Sequence, residues 1–143
     1  MKYLLDTDTV SYFLRDKFGV ASRMLAANPD DLAISRVTVA ELWVQARTAR
    51  YGRINPATLG KFVRALRGLP VSEVIWDHFA TARAAMIRSG RNFGETGNFD
   101  VLIGCTAALH GLTVVTNNER HFRPIGDLLG FGIENWVEGA TGA

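Results

Sequence analysis

Apolar and polar positions along the chain switch between two periods, and the switches mark out a set of elements. Tyr3-Leu4-Leu5 is a short apolar run that meets acid at Asp6 and Asp8. Apolar side chains on both faces suit a strand of a parallel sheet with helices on either side. Asp8 or Thr9 can cap a following helix with Val10, Phe13 and Leu14 on one face, and Phe18 to Ala27 reads as a second helix with Val20, Met24 and Leu25 inward. Asn28-Pro29-Asp30-Asp31 is a turn, after which Leu32 to Ser35 reads as a buried strand. From Thr38 to Arg50, the positions Val39, Leu42, Trp43 and Ala46 form one helical stripe, and Leu59, Phe62, Val63 and Leu66 form another after Pro56. The two predict an αα-hairpin. Val71 to Val74 predicts a short strand, and Trp76 to Ser89 a helix with Trp76, Phe79 and Met86 inward.

The segment Gly90 to Gly97 has no period and reads as a loop. Phe99 to Leu109 is apolar nearly all round, which places that helix in the middle of the domain, with Gly111 closing it. Leu112 to Thr116 is a β-branched central strand, and Asn117 to Phe122 follows at its carboxyl end. Gly132 to Trp136 predicts a late strand. Strands alternating with helices give an α/β fold, a central parallel sheet of about four to five strands with helices on both faces. One domain over residues 1–138 and a frayed tail over 139–143 account for the chain.

Composition narrows this picture. A chain of 143 residues has material for one core. The single Cys105 excludes an internal disulfide and a multi-cysteine zinc site, and within an apolar run it reads as an inert core thiol. The start Met1 to Asp6 reaches acid too early for a signal peptide, and no apolar run approaches the ~20 residues of a membrane span. The expectation is a cytoplasmic protein.

The chemistry lies where strands end and helices begin. Asp6 ends the first strand, Glu41 follows the second, and Asp100 opens the apolar helix. Each has an ordinary alternative use: Asp6 or Asp8 as a helix cap, Glu41 in a Thr38–Glu41 capping box, Asp100 as a first-turn acid favoured by the helix dipole. In combination they meet on the carboxyl edge of one sheet, the edge at which open α/β sheets bind ligands. Like charges gathered in a cleft raise one another's pKa unless a cation joins them. Oxygen donors without cysteine suit Mg²⁺, for which Mn²⁺ substitutes, and such a site serves phosphate chemistry with activated water. After the β-branched strand, Asn117, Asn118, Glu119 and His121 supply further polar groups, and a local turn is the alternative reading for them.

Charge is unevenly spread. From Leu42 to Ser72 there are Arg47, Arg50, Arg53, Lys61, Arg64 and Arg67 and no acid, so this segment is +6 and the rest of the chain +2 − 6 = −4. A solvated helical face is one reading. The other is a hairpin that grips phosphates beside an acidic catalytic pocket, the division of labour of a nuclease.

Taken together, these stretches resemble the PIN-domain ribonucleases of the VapC toxin type. Tyr3 to Asp8 is similar to the opening strand of that family, with Asp8 where Asn is common. Ile34 to Leu42 resembles the second motif, with its Thr and Glu. Asn98 to Ile103 resembles the third, and Val115 to Phe122 the fourth, in which His121 replaces an acid before the Phe. The resemblance implies Asp6, Glu41 and Asp100 as metal ligands, with Asn118 and Glu119 as further catalytic candidates. It also implies an RNA substrate, 5′-phosphate and 3′-hydroxyl products, homodimerisation, and inhibition by a VapB-like antitoxin. A catalytically impaired PIN-like module that binds RNA or protein is the alternative. Asp6-Thr7-Asp8 also fits the nucleophile motif of haloacid-dehalogenase-type phosphatases, but that chemistry needs a late Lys and a late acidic pair, and the last Lys here is Lys61.

Overall fold

The computed structural model describes residues 1–48, 54–90 and 97–140. Strands β1 (Tyr3–Leu5), β2 (Leu32–Ser35), β3 (Arg67–Leu69), β4 (Thr113–Val115) and β5 (Ile133–Glu134) form a five-stranded sheet in the order β3-β2-β1-β4-β5. All four pairings are parallel; Leu4 lies beside Ala33 on one side and Val114 on the other. The chain runs outward from β1 to β3, then returns to the far side of β1 for β4. The direction of winding therefore reverses between β1 and β4.

Side-chain alternation along the strands divides the interior into two layers. Leu4, Ala33, Leu69 and Val114 point to one face, where they meet α5 (Glu73–Arg88), α6 (Asn98–His110) and α7 (Glu119–Leu129). Leu5, Ile34 and Val115 point to the other, under α1 (Thr7–Leu14), α2 (Val20–Ala26), α3 (Arg36–Ala46) and α4 (Pro56–Ala65). This is why β1 and β2 read as continuous apolar runs. Helix α6 is buried from Val101 to Ala107, and Gly111, at φ 64°, ends it in the left-handed region. Gly104 lets α7 approach closely: a side-chain carbon there would sit 2.9 Å from Cγ2 of Ile125 and 3.1 Å from the Phe131 ring. Cys105 is buried among these residues, and burial pushes its thiol up to about 11, so it packs rather than reacts.

The structure departs from the sequence expectations at several places. The third strand is Arg67–Leu69 and not Val71–Val74, because Ala33 to Ser35 take their partners there and Ser72 already caps α5, accepting from the Ile75 N–H. Trp76 (51% exposed) and Leu25 (76% exposed) face outward. Each lies one position, a 100° turn, from the residue that defines the buried stripe, Ile75 and Met24 respectively. The strand at Thr113–Val115 is interior, but β1 is the central one. Helix α7 was hidden by Pro124 and Gly126, yet Phe122 and Ile125 bury its inner face. The α3–α4 hairpin stands as expected, with Asn55 capping α4 through the Ala57 and Thr58 N–H groups and Pro56 in its first turn. Residues 91–96 of the expected Gly90–Gly97 loop and residues 141–143 of the expected 139–143 tail lie outside the described residues. Between α1 and α2, Asp16 (φ 53°) and Phe18 (φ 57°) take left-handed backbone, a strain of about 1–3 kcal/mol each. The Glu138 N–H donates to the Phe18 carbonyl at 2.7 Å and holds that loop against the carboxyl-terminal segment.

Replacing Gly104 with Val forces two β-branched methyl groups into the α6–α7 contact. Unfolding in urea should show a loss of about 1–3 kcal/mol, and an unchanged midpoint would contradict the close approach described.

Candidate active site

Parallel pairing puts the ends of β1, β2 and β4 on one edge, and α1, α3, α6 and α7 start there. Helix α1 begins directly after β1, with Asp6 as its N-cap residue but without a side-chain capping bond. The Asp6 carboxyl turns instead across the β1–β4 crevice, where the Thr116 hydroxyl donates to Oδ2 at 2.8 Å. Asp8, in the first turn of α1, reaches the same crevice and accepts from the Asn117 N–H at 3.1 Å. Helix α3 begins at Arg36, capped by the Ser35 hydroxyl, which accepts from the Val37 N–H at 3.1 Å. Glu41 is thus in the helix body and is not part of a capping box with Thr38. The Thr7 hydroxyl donates to Glu41 Oε1 at 2.7 Å and fixes it toward α1. Asp100 is in the first turn of α6, which is capped by Gly97, and its Oδ2 lies 3.6 Å from His121 Nδ1.

These groups line one open cleft of about 380 Å³, bounded by Asp6, Thr7, Asp8, Tyr12, Glu41, Gln45, Asp100, Asn117 and Asn118. The cleft lies at the reversal point of the sheet. Its electrostatics are those of crowded anions. Burial, reinforced by the charge of Asp8, raises Asp6 well above the ordinary carboxylate range, with the Thr116 bond acting in the opposite sense. Asp8 is raised by burial, against which the Thr9 and Asn117 N–H bonds work. Glu41 is raised by burial and then by the charges of Asp100 and Asp8, against the Thr7 bond. Asp100 is raised by burial, partly offset by His121. Among the described residues no Lys or Arg lines the cleft. Among the described residues no three acid, His or Cys side chains stand in position to close round one ion together. The donor set is all oxygen, the kind that binds a hard cation partly through that cation's own water shell.

Asp6, Glu41 and Asp100 are therefore brought together, and Asn118 joins them, its Nδ2 3.0 Å from His121 Nδ1. Glu119 is not in the cleft; it accepts from Arg123 at 2.8 Å and from Asn135 at 3.1 Å. Arg47, Lys61, Arg64 and Arg67 are exposed and line none of the cleft, and Arg50 and Arg53 lie outside the described residues. Arg47 stacks over Trp43 with Cζ 5.1 Å from the ring centroid. Sequence reading set Asp8 aside as a helix cap; its spacing from Asp6, one residue across a strand–helix junction, was the available signal. Thr7, Thr116 and Gln45 had none.

A family model, PIN domain, matches residues 3–127. The chain belongs to the PIN domain family. This PIN domain is 31% identical over 138 residues to Ribonuclease VapC2 of Haemophilus influenzae, covering 96% of this chain and 99% of that protein. It is 30% identical over 136 residues to the tRNA(fMet)-specific endonuclease VapC of Shigella flexneri, covering 95% and 98%. Among solved structures, DNA-bound VapBC from Salmonella typhimurium superposes with a TM-score of 0.80 at 30% identity, covering 95% of this chain and 98% of that one. As a PIN domain it shows the expected parallel α/β architecture, and among its described residues no helix is long and apolar enough to cross a membrane.

The raised carboxylates set the pH dependence of the cation-free protein. A raised folded-state pKa contributes stability below the unfolded value, which is about 4 for Asp and Glu, and that contribution is lost as pH rises through the folded value. In metal-free buffer, stability should therefore fall as pH climbs from about 4 toward neutrality. Asp6→Asn should flatten this fall and stabilise the protein at neutral pH by on the order of 1–3 kcal/mol, the cost of a buried polar group without compensation. Thermal unfolding against pH in chelator measures both.

Proposed function

We propose that this protein is a divalent-metal-dependent endoribonuclease acting as the toxin of a VapBC-type toxin–antitoxin pair, with a VapB-like antitoxin as its partner. The observation that carries this reading is the convergence of Asp6, Asp8, Glu41 and Asp100 in a cleft that no Lys or Arg among the described residues lines. Anions raised by burial and by one another gain stability from a cation placed among them. The ribonuclease and endonuclease relatives, similar over nearly the whole chain, supply the reaction class.

In this reading Asp6, Glu41 and Asp100 would hold Mg²⁺ directly or through its waters, with Asp8 beside Asp6. Such an ion would supply charge to offset that of the phosphate and a water of lowered pKa. The rest falls to the protein. Thr116 and Thr7 hold Asp6 Oδ2 and Glu41 Oε1, so each carboxylate presents a defined second oxygen to the cleft. On the opposite side His121 Nδ1 stands 3.6 Å from Asp100 Oδ2, with Asn118 Nδ2 3.0 Å from the same ring nitrogen. Glu41 Oε2 has no partner among the described residues and can accept a proton from the attacking water. Lys61, Arg64, Arg67 and Arg47, all exposed, offer the flanking RNA backbone its counter-charges.

RNA cleavage should stop in excess chelator and fall at least about 100-fold in kcat for Asp6→Asn, a change on the scale of disrupting a metal site. Mg²⁺ should raise the melting temperature of the wild type and not of Asp6→Asn. Reversing Lys61 and Arg64 to Glu should weaken RNA binding and reduce its salt dependence by about 0.7 per lost contact. Cleavage that persists without metal would sink the mechanism, and unchanged affinity in the reversed variant would sink the basic-face assignment.

A further inference from the structure

We propose that the α1–α3 wall of the cleft is a nucleobase subsite, in which Tyr12 supplies the apolar surface for a base beside the scissile phosphate and the Gln45 amide donates to an acceptor on its edge. The inference rests on the nuclease reading and specifies how that site takes its substrate.

The placement follows from helix geometry. Ser11 and Tyr12 are four residues beyond Thr7 and Asp8 on α1, and Gln45 is four beyond Glu41 on α3. Residues so spaced share a helix face one turn apart, about 5.4 Å along the axis. The carboxylates thus occupy the first tier of this wall, and an uncharged tier lies directly behind them. Tyr12 and Gln45 both line the cleft.

The polarity of Gln45 is set by its neighbours. Arg15 Nε, which can only donate, donates to Ser11 Oγ at 3.1 Å. The one Ser11 hydroxyl proton then goes to Gln45, with Oγ and Oε1 2.7 Å apart, the spacing of an O–H···O bond and short for N–H···O. The oxygen of the carboxamide is therefore the bonded end. Its NH₂ has no partner among the described residues and is the end presented to a ligand. A fixed donor suits a base carbonyl or ring nitrogen. Tyr12 is braced in turn, with Phe18 edge-on at 4.7 Å and Arg15 Cζ 5.7 Å from its centroid. Phe18 is 57% exposed and held in left-handed backbone, which extends the aromatic surface outward from the cleft. Aromatic surface with a polar group of fixed direction is the usual means of taking an unpaired base.

The test is cleavage of a randomised single-stranded RNA pool in Mg²⁺ by wild type, Gln45→Glu, Tyr12→Ala and Tyr12→Phe, with the cut ends sequenced. Gln45→Glu keeps the oxygen that Ser11 bonds and exchanges the donor for an acceptor. The expected result is a base bias at one nucleotide beside the cut that Gln45→Glu and Tyr12→Ala flatten at that same nucleotide. KM for the preferred sequence should rise about tenfold, the scale of losing one stacked base; Tyr12→Phe should keep the bias. An identical cleavage profile in wild type and Gln45→Glu overturns the subsite, as does a Gln45→Glu effect confined to inhibition by an antitoxin. Should wild type fail to cleave, the nuclease reading fails. Fluorescence anisotropy of a short labelled RNA with wild type and Gln45→Glu still decides the subsite, equal affinity counting against it.

Discussion

Four carboxyl groups share one rim of this protein, and their mutual repulsion is the constraint that the surrounding structure answers. Asp6 is 5% exposed, and among the described residues the charge that acts on it most strongly is that of Asp8. Burying one unpaired carboxylate disfavours its charged form, and gathering several compounds the effect. The fold offsets only part of this, through neutral donors: the hydroxyls of Thr116 and Thr7 and the Asn117 N–H. Each bond fixes an oxygen in place without cancelling its charge. A site built for stability alone would use apolar residues or an Arg there. The repulsion among these carboxylates is therefore retained rather than removed.

Sheet topology is what makes such crowding possible. Because β1, β2 and β4 run parallel, the residue after each strand emerges on the same edge, and the reversal of winding between β1 and β4 opens a crevice there. The two apolar layers hold that edge rigid. Alternation sends Leu4 into one layer and Leu5 into the other, so Asp6 is set by both cores at once. The fully buried Thr116 ends β4 in the same way. Shifting β1 by one residue would exchange the layers and turn Asp6 away from Thr116, so register and site are one constraint.

Sequence made legible what depends on period and on junctions. The apolar runs at Leu4 and Ile34 gave the parallel sheet, the stripes through Leu42 and Leu59 gave the hairpin, and Asp6, Glu41 and Asp100 stood out because each follows a strand or opens a helix. What sequence concealed is set by neighbours distant in the chain. Glu41 looked like a capping residue because Thr38 precedes it by three, and only the start of α3 at Arg36 shows that Ser35 does the capping. Glu119 looked like a fourth acid of the site, but Arg123, one turn along α7, and Asn135 draw it away. Trp76 and Leu25 were misjudged for a common reason: in a dense apolar stretch the buried direction is ambiguous by one residue, and tertiary packing decides it.

Helix α1 carries the argument one step further, because its successive turns serve different ends. Its first turn holds Thr7 and Asp8 among the acids, and its second holds Ser11 and Tyr12 on a wall without charge. Arg15, in the last contact of this series, bonds Ser11 and lies over Tyr12 rather than entering the cleft, where it would neutralise a carboxylate. A guanidinium placed one turn nearer the acids would relieve the repulsion among them. The same side chain one turn away stiffens the neutral wall and leaves that repulsion intact. The separation of charged and uncharged tiers along a single helix is thus set by where Arg15 is kept out, as much as by where the aspartates are put in.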